Sequence, residues 1–151
     1  MIEVRLAKLD EVKTIVELCE EVKKTYSLWD EEYPTLEFFM DSLNGPGLYV
    51  LLLDNKIIGS ISLEESSEKG CVSLSRFFIV PRYQKNGYGK YLIMEVTQKL
   101  RGKYDCVDLF VDSRHPFALK MYQSFGFKDL GEWSVEWITD DVYHRLILKL
   151  N

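Results

Sequence analysis

The segment from Ser73 to Leu100 constrains this chain more than any other, because it has the pattern of a strand, a glycine turn and a helix. Its first part, up to Val80, begins with alternation and ends in an apolar run, which predicts a strand whose end is buried on both faces. Pro81 lacks a ladder donor and is expected to close this strand. The helix is predicted by an apolar stripe at helical spacing, formed by Leu92, Ile93, Val96 and Leu100.

The turn between strand and helix contains two glycines one residue apart, Gly87 and Gly89. A helix start offers free backbone N–H groups and the positive end of the helix dipole, and glycines let a phosphate approach the backbone closely. The turn therefore predicts a pyrophosphate site. It does not match the Rossmann fingerprint, which needs a third glycine where this chain has Leu92, and the Gly-Lys-Ser/Thr of a Walker loop is absent from the sequence.

The residues from Gln84 to Gly89, Gln-Lys-Asn-Gly-Tyr-Gly, follow Val80 and Pro81 at the strand end. They resemble the pyrophosphate loop of the GNAT family of N-acetyltransferases, whose motif is Gln/Arg-x-x-Gly-x-Gly/Ala after a Val-x-Pro strand end. A second motif of that family, Val-x-x-x-Asn-x-x-Ala-x-x-Leu-Tyr-x-x-x-Gly-Phe, is matched by Val111, Ala118, Met121, Tyr122, Gly126 and Phe127.

This resemblance implies an acyl-CoA donor, most often acetyl-CoA, bound where the fourth and fifth strands diverge. Strand backbone would pair with the pantetheine arm and the glycine loop would hold the pyrophosphate. His115 stands where the family usually has a cofactor-binding Asn, although a histidine can also donate one hydrogen bond. The residues expected to bind the coenzyme are Phe78, Ile79, Val80, Gln84, Lys85, Asn86, Gly87, Tyr88, Gly89, Lys90 and His115.

The resemblance also implies direct attack of a neutral amine on the thioester. Tyr122 matches the family tyrosine beside the thioester sulfur, which protonates the leaving thiolate, and a backbone N–H near Val80 would stabilise the oxyanion. The proton acceptor stays open, since Glu64, Asp112 and Glu136 qualify by residue type alone. His144 falls in a strand pattern and is expected to be structural. No metal site is expected.

The fold implied is α/β, with a mixed, mostly antiparallel sheet of about seven strands and flanking helices. A helix capped by Asp10 and ending near Lys23 and Lys24 follows the first strand, and Pro116 and Gly126 bound the last one. The predicted strands are 2–6, 48–53, 57–63, 73–80, 106–111, 132–138 and 142–150. A further helix is predicted over 35–43, capped by Thr35, and Asp54, Asn55 and Lys56 predict a hairpin turn.

The length of 151 residues and a hydrophobic content of 46% fit one domain, 1–151. The absence of a long apolar run predicts a cytoplasmic protein without a membrane segment, and the net charge of -5 argues against nucleic acid as a partner. An odd number of cysteines without metal-ligand spacing predicts that Cys19, Cys71 and Cys106 are reduced core residues. Monomer and homodimer both remain open.

The predicted function is acetyl transfer from acetyl-CoA to a primary amine of a small molecule or of a protein or peptide. The alternative is a non-catalytic acyl-CoA-binding or regulatory module on the same fold. Two acidic and aromatic segments favour a cationic acceptor. Equally, they are consistent with solvated acids and packed rings. The first contains Trp29, Asp30, Glu31, Glu32 and Tyr33, and the second contains Trp133, Trp137, Asp140 and Asp141.

Overall fold

The computed structural model describes residues 1–24, 36–112, 116–133 and 143–150. Its strands are β1 (Ile2–Leu6), β2 (Gly47–Leu53), β3 (Lys56–Glu65), β4 (Cys71–Ile79), β5 (Cys106–Asp112), β6 (Lys128–Trp133) and β7 (Tyr143–Lys149). Its helices are α1 (Val12–Lys23), α2 (Leu36–Asn44), α3 (Tyr88–Leu100) and α4 (Pro116–Ser124). The described strands form one sheet in the order β1-β2-β3-β4-β5-β7-β6, and only the β4–β5 pair in it is parallel. The predicted fold class is confirmed.

Two apolar layers cover the two faces of the sheet. The layer around α3 includes the predicted stripe of that helix, and the layer around α1 includes Val12, Ile15, Cys19 and Val22, as their helical spacing indicated. Strand β2, which lies between β1 and β3, reads Gly-Leu-Tyr-Val-Leu-Leu-Leu and is buried along almost its whole length. Burial on both faces explains why this strand is continuously apolar rather than alternating. No helix among the described residues has the length and apolarity that crossing a membrane requires.

Several predicted element ends were wrong. Asp10 is not the N-cap of α1, because a 3-10 turn over Leu9–Glu11 precedes the helix and the Glu11 carboxylate accepts the Lys8 N–H at 2.8 Å. Strand β4 begins at Cys71 rather than Ser73 and ends at Ile79, since Pro81 opens another 3-10 turn. The hairpin turn is confirmed at Asp54 and Asn55, which both have positive φ.

Strand β6 begins at Lys128, four residues before the predicted start. Chain reversal at Gly126, where φ is +102°, is tight enough that Phe127 N–H donates to the Tyr122 carbonyl at 3.1 Å. The chain therefore enters the sheet at once and pairs Lys128 with Ile147 of β7. Residue 138, the predicted end of this strand, and the predicted Thr35 cap lie outside the described residues. Strand β7 runs over Tyr143–Lys149.

The prediction that every cysteine is reduced is wrong for two of them. Cys71 and Cys106 are joined by a disulfide, with Cα atoms 4.6 Å apart, whereas Cys19 is a free and buried thiol. The cause is the register of the sheet, which sets Cys71 and Cys106 directly opposite each other on β4 and β5. Their separation of 35 residues along the chain gives no sign of this proximity.

Strands β4 and β5 pair with each other only near their beginnings in the described part of the chain. The parallel ladder joins Cys71–Ser73 to Cys106–Asp108, and both strands then continue beyond it, β4 to Ile79 and β5 to Asp112. The two strands thus form a V that is closed at the ladder and open at their carboxyl ends. This is the divergence that the family resemblance implied.

A bulge in β4 contributes to the opening of the V. Strand β3 pairs Ser60 with Phe78 but Ser62 with Ser75, so one residue of β3 lies opposite two residues of β4. Within this bulge Arg76 has a left-handed backbone with φ of +43°. A bulge bends the strand that carries it and increases its twist, which directs the end of β4 away from β5.

Candidate active site

The loop after β4 is held in shape by the side chains of two of its own residues. Gln84 Nε2 donates to the Ile79 carbonyl at 2.8 Å, and Asn86 Nδ2 donates to the carbonyls of Tyr83 and Gln84 at 3.3 and 3.1 Å. These two amides therefore fix the path of the loop from within. Gln84 and Asn86 thus stabilise the conformation of the loop. The family motif predicted only that they contact the coenzyme.

Gly87 occupies the N-cap position of α3 with φ of +83°, a conformation that only glycine adopts without strain. A Cβ atom built on Gly87 would meet no other atom within 4 Å, so its missing side chain faces open space. The first helical hydrogen bond runs from Tyr91 N–H to the Gly87 carbonyl. The N–H groups of the preceding turn thus have no acceptor within the helix and suit an anion beside Gly87.

The surroundings of this helix start are positively charged, although the chain as a whole is acidic. Arg82, Lys85 and Lys90 lie on or beside the loop and are exposed. Exposed lysines act as mobile point charges that can reach phosphate oxygens. The open space at Gly87, the N–H groups and the local charge together fit a pyrophosphate group.

Gly89 is required for a different reason. A Cβ atom at Gly89 would lie 3.1 Å from Cζ of Phe77, which is closer than an ordinary contact. Here glycine lets α3 pack against the Phe77 ring, whereas Gly87 leaves room for a ligand. The sequence motif contains both glycines but does not distinguish these two requirements.

Val80 is not available as a free backbone donor. Its N–H donates to the Ile58 carbonyl at 2.8 Å and its carbonyl accepts from Tyr83 at 2.9 Å. The oxyanion contact predicted for a backbone N–H near Val80 therefore cannot come from the N–H of Val80 itself. Hydrogen-bonded pairs alternate along an antiparallel ladder, so the backbone of Ile79 faces the opposite edge, toward the V.

Tyr122 lies on α4 among aromatic rings. Its ring centroid is 6.2 Å from that of Phe77, 6.4 Å from Phe125 and 5.8 Å from Phe127. Burial raises the pKa of Tyr122, so the phenol stays protonated. Phe77 contacts both this ring and the start of α3, yet sequence reasoning did not single it out, because an aromatic residue in a strand is usually plain core.

The candidate bases differ in position. Glu64 pairs with Ser73 at the closed end of the V. Since a strand advances about 3.3 Å per residue, Glu64 lies roughly 20 Å along the strand from Ile79. Asp112 is the last residue of β5, at the open end. Glu136 falls outside the described residues, as do His115, the predicted acceptor residues Trp29, Glu31, Glu32 and Tyr33, and most of the second acidic segment.

His144 lies in β7, as the strand pattern predicted. Its Nδ1 is within 3.0 and 2.9 Å of the two carboxylate oxygens of Asp129, and Asp129 also accepts the Gly131 N–H at 2.8 Å. The desolvation of Asp129 is outweighed by these two hydrogen bonds, which hold the pKa of its carboxyl below its usual range. His144 and Asp129 thus join β6 to β7, which is consistent with a structural role.

Comparison with known proteins agrees with this geometry. The model of the acetyltransferase (GNAT) family matches residues 15–127, a span that contains the glycine loop and Tyr122. The spermine/spermidine N(1)-acetyltransferase of Bacillus subtilis (strain 168) is 38% identical over 73 residues, covering 46% of this chain and 47% of the relative. The match therefore spans about half the length of this relative.

Solved structures share the fold along almost the whole chain. The protein yncA of Salmonella typhimurium, solved with its cofactor acetyl-CoA, has a TM-score of 0.77 at 18% identity, covering 100% of this chain and 95% of that one. A spermidine N-acetyltransferase chimera from Vibrio cholerae and hSSAT has a TM-score of 0.79 at 18% identity, with 99% and 95% covered. At such identities the likeness shows the arrangement of the elements.

Proposed function

The chain belongs to the acetyltransferase (GNAT) family, and from this premise we propose that it transfers an acetyl group from acetyl-CoA to a primary amine of a small molecule. The observation that carries the proposal is the open space beside Gly87 at the start of α3, next to the open end of the V. It is supported by two family motifs that fall in the expected register on β4, α3 and α4.

In this proposal the loop and the β4 edge bind the coenzyme. The N–H groups at the start of α3, with Lys85 and Lys90, would hold the pyrophosphate. The Ile79 carbonyl, which also accepts from Gln84 Nε2, would pair with the pantetheine arm. Acetyl-CoA supplies the acyl group as a thioester. Phe78 and Val80 then contribute mainly through the shape of the strand, because alternation directs their backbone groups toward β3.

We propose that two groups of this chain favour the reaction. The Ile79 N–H, on the V side of β4, would stabilise negative charge that develops on the thioester oxygen. The Tyr122 hydroxyl, which is protonated, would donate a proton to the leaving thiolate. Among the described carboxylates considered as bases, Asp112 is placed best because it ends β5 at the open end of the V.

We further propose that the acceptor is an aliphatic polyamine or a similar cationic amine. Support comes from the name of the Bacillus subtilis relative, and from the acidic and aromatic residues of the two segments noted in the sequence. Carboxylates attract an ammonium group, and aromatic faces add cation–π attraction of about 0.5 to 2 kcal/mol per contact. A cytoplasmic location and a monomeric or homodimeric state remain predictions from the sequence.

The test is a screen of purified protein with acetyl-CoA and a panel of amines, with released thiol as the readout. Spermine, spermidine and lysine-like amines are compared with neutral and acidic amino acids, and we expect turnover with the polyamines. Glu31→Gln and Glu32→Gln are expected to raise KM for them. Preference for acidic acceptors would contradict the cationic part of the proposal. Acetyl-CoA binding without turnover of any amine or peptide would favour the non-catalytic module.

The role of Tyr122 has a matched control in the same chain. A positioned acid contributes at least about 100-fold in rate, so Tyr122→Phe is expected to lower kcat by that factor with little change in acetyl-CoA affinity. Tyr49 of β2 is also a tyrosine whose pKa is raised by burial, but it lies in the core away from the V. Tyr49→Phe should therefore keep kcat. Near-normal turnover of Tyr122→Phe would show that Tyr122 contributes to packing and not to catalysis.

A further inference from the structure

The closed end of the V carries a cysteine pair that the proposed reaction does not use. Cys71 and Cys106 are the first residue pair of the ladder that holds β4 to β5, and both are buried, with 5% and 6% of their surface exposed. Their disulfide links β4 and β5 covalently at the start of the ladder of three residue pairs that also joins these strands. The pair thus sits at the point where the two walls of the V are connected.

A carboxylate lies beside both sulfurs. Oε2 of Glu68 is 3.6 Å from Sγ of Cys71 and 3.6 Å from Sγ of Cys106. Its other oxygen, Oε1, accepts from Nη1 of Arg145 at 3.2 Å, which orients the carboxylate. A sulfur in a disulfide has no proton to donate, whereas two thiols would each donate S–H to Glu68. Glu68 is therefore an acceptor already in place for the reduced pair, at 3.6 Å from each sulfur.

We propose that Cys71 and Cys106 form a reversible thiol–disulfide pair that exchanges with small-molecule disulfides and reinforces the closed end of the V when oxidised. One cysteine, as thiolate, attacks a sulfur of the small disulfide, and the other sulfur leaves as a thiol after taking a proton. The second cysteine then attacks the mixed disulfide and releases a second small thiol. The cysteines lose two electrons, the small disulfide gains two, and both cysteine protons pass to the released thiols.

Glu68 makes this exchange slow. The attacking species is a thiolate, and a carboxylate beside both sulfurs disfavours a second negative charge there. Burial of both cysteines further limits access of a small thiol or disulfide. The pair is therefore a slowly responding reinforcement of the sheet. The glycine loop lies beyond the opposite end of β4, roughly 26 Å along the strand, so acetyl-CoA affinity is expected to stay within about twofold.

The first experiment counts thiols and measures melting of the full chain after treatment with dithiothreitol or oxidised glutathione. Under denaturing conditions, we expect three free thiols in reduced protein and one, Cys19, in oxidised protein. The disulfide is expected to raise the melting temperature by about 10 °C. Cys106→Ser should abolish this shift and Cys19→Ser should keep it. Counting thiols in the unaltered chain decides the matter even if a variant fails to fold.

Three results would overturn the proposal. The first is three free thiols after oxidation, and the second is a stable adduct of glutathione on one cysteine. The third is reduced protein that retains one equivalent of zinc, because Glu68 and the two sulfurs are also close enough to bind a metal. Zinc content is measured directly by elemental analysis. No step depends on acetyl transfer, so failure here and failure of the proposed function are distinguishable.

A second experiment tests the role of Glu68. Glu68→Gln keeps an acceptor of the same shape and removes the charge beside the sulfurs, so reduction by dithiothreitol should become about 3- to 10-fold faster. Glu65→Gln, at the exposed end of β3, is the control and should leave the rate unchanged. Equal rates in the two variants would show that Glu68 does not restrain the exchange.

Discussion

The two ends of the β4–β5 pair differ: the strands are joined at one end and separate at the other. At the closed end, the ladder, the disulfide and a buried ion pair between Arg145 and Asp108, with a separation of 2.7 Å, tie β4, β5 and β7 together. At the open end the strands separate, the Ile79 backbone faces the gap and Gly87 leaves empty space. The closed end is joined covalently and electrostatically, whereas β4 and β5 are not paired with each other at the open end.

This difference shows how the sheet can open at one end of β4 and β5 and remain held together at the other. The Ile79 N–H faces the gap because alternation along the ladder turns it away from β3, and the bulge at Arg76 directs the end of β4 outward. Stability must then come from elsewhere. The closed end supplies it with contacts between residues far apart in sequence, such as Arg145 with Asp108 and Glu68.

The largest expected effect comes from breaking the ion pair at the closed end. Asp108 is fully buried and accepts hydrogen bonds from Arg145 Nε and Nη2, and also from Ser66 and Ser73. Asp108→Asn keeps the shape but removes the buried negative charge beside the Arg145 guanidinium. We expect a loss of about 3 to 5 kcal/mol in the free energy of unfolding, measured by urea denaturation.

The double variant Asp108→Leu/Arg145→Met is the control for this prediction. It removes both charges together, and a well-packed apolar pair is often as stable as a buried ion pair. We therefore expect it to recover much of the stability that Asp108→Asn loses. If Asp108→Asn unfolds within about 1 kcal/mol of the unaltered chain, the closed end is not the rigid region described here.

The next effect in size concerns the open end. Gly87→Val would place a branched side chain in the space that a pyrophosphate needs, so acetyl-CoA affinity should fall at least about 100-fold, or about 2.7 kcal/mol, in calorimetry. Gly102 is a matched control, since it has φ of +85° and likewise no atom within 4 Å of a built Cβ, but it lies at the other end of α3. Gly102→Val carries similar backbone strain and should keep the affinity.

Gly87→Val and Gly102→Val together separate ligand exclusion from strain. Both variants place a β-branched residue at positive φ, so both should lose some stability. Only Gly87→Val should lose acetyl-CoA. Equal affinity in the two folded variants would remove the phosphate-loop assignment from the α3 start.

The open end could be predicted from the sequence because its determinants are local. The strand end, the glycines and the apolar stripe of α3 follow each other within 28 residues, and the fold, the loop and the place of Tyr122 all came from such short patterns. The separate roles of the two glycines, Gly87 and Gly89, could not be predicted. Whether Gly87 or Gly89 leaves room for a ligand depends on where Phe77 packs, which is a contact between elements.

The closed end could not be predicted because its determinants are not local. The disulfide joins residues 35 apart, and Arg145 meets Glu68 across 77 positions. Asp108 and Arg145 also look like exposed polar residues in a strand pattern, since charged residues are rarely buried. Only the register of β5 with β4 and β7 brings these residues together.

The smallest expected effect tests whether burial, rather than ion-pair geometry, makes the closed end strong. Arg5 and Glu11 form a two-pronged pair, with Nη1 and Nη2 each 2.8 Å from a different carboxylate oxygen. Arg145 also contacts Asp108 through two nitrogens, Nε and Nη2, although both bond Oδ2. This pair lies near the surface, where the side chains keep 27% and 19% of their exposure. Hydrogen bonding by Arg5 lowers the pKa of Glu11 from 4.5 to about 2.

A carboxylate with a lowered folded-state pKa stabilises the protein above its unfolded pKa and loses that contribution as the pH falls through the folded value. Glu11→Gln should therefore cost about 1 kcal/mol at pH 7, a figure reduced for solvent screening, and the deficit should shrink between about pH 4.5 and pH 2. Glu3, whose carboxylate is 3.5 Å from Arg5 Nε and 59% exposed, is the control, and Glu3→Gln should change little. Urea denaturation at pH 7 and near pH 3 measures both. A deficit for Glu11→Gln as large as that of Asp108→Asn would mean that geometry, independent of burial, sets the strength of these pairs.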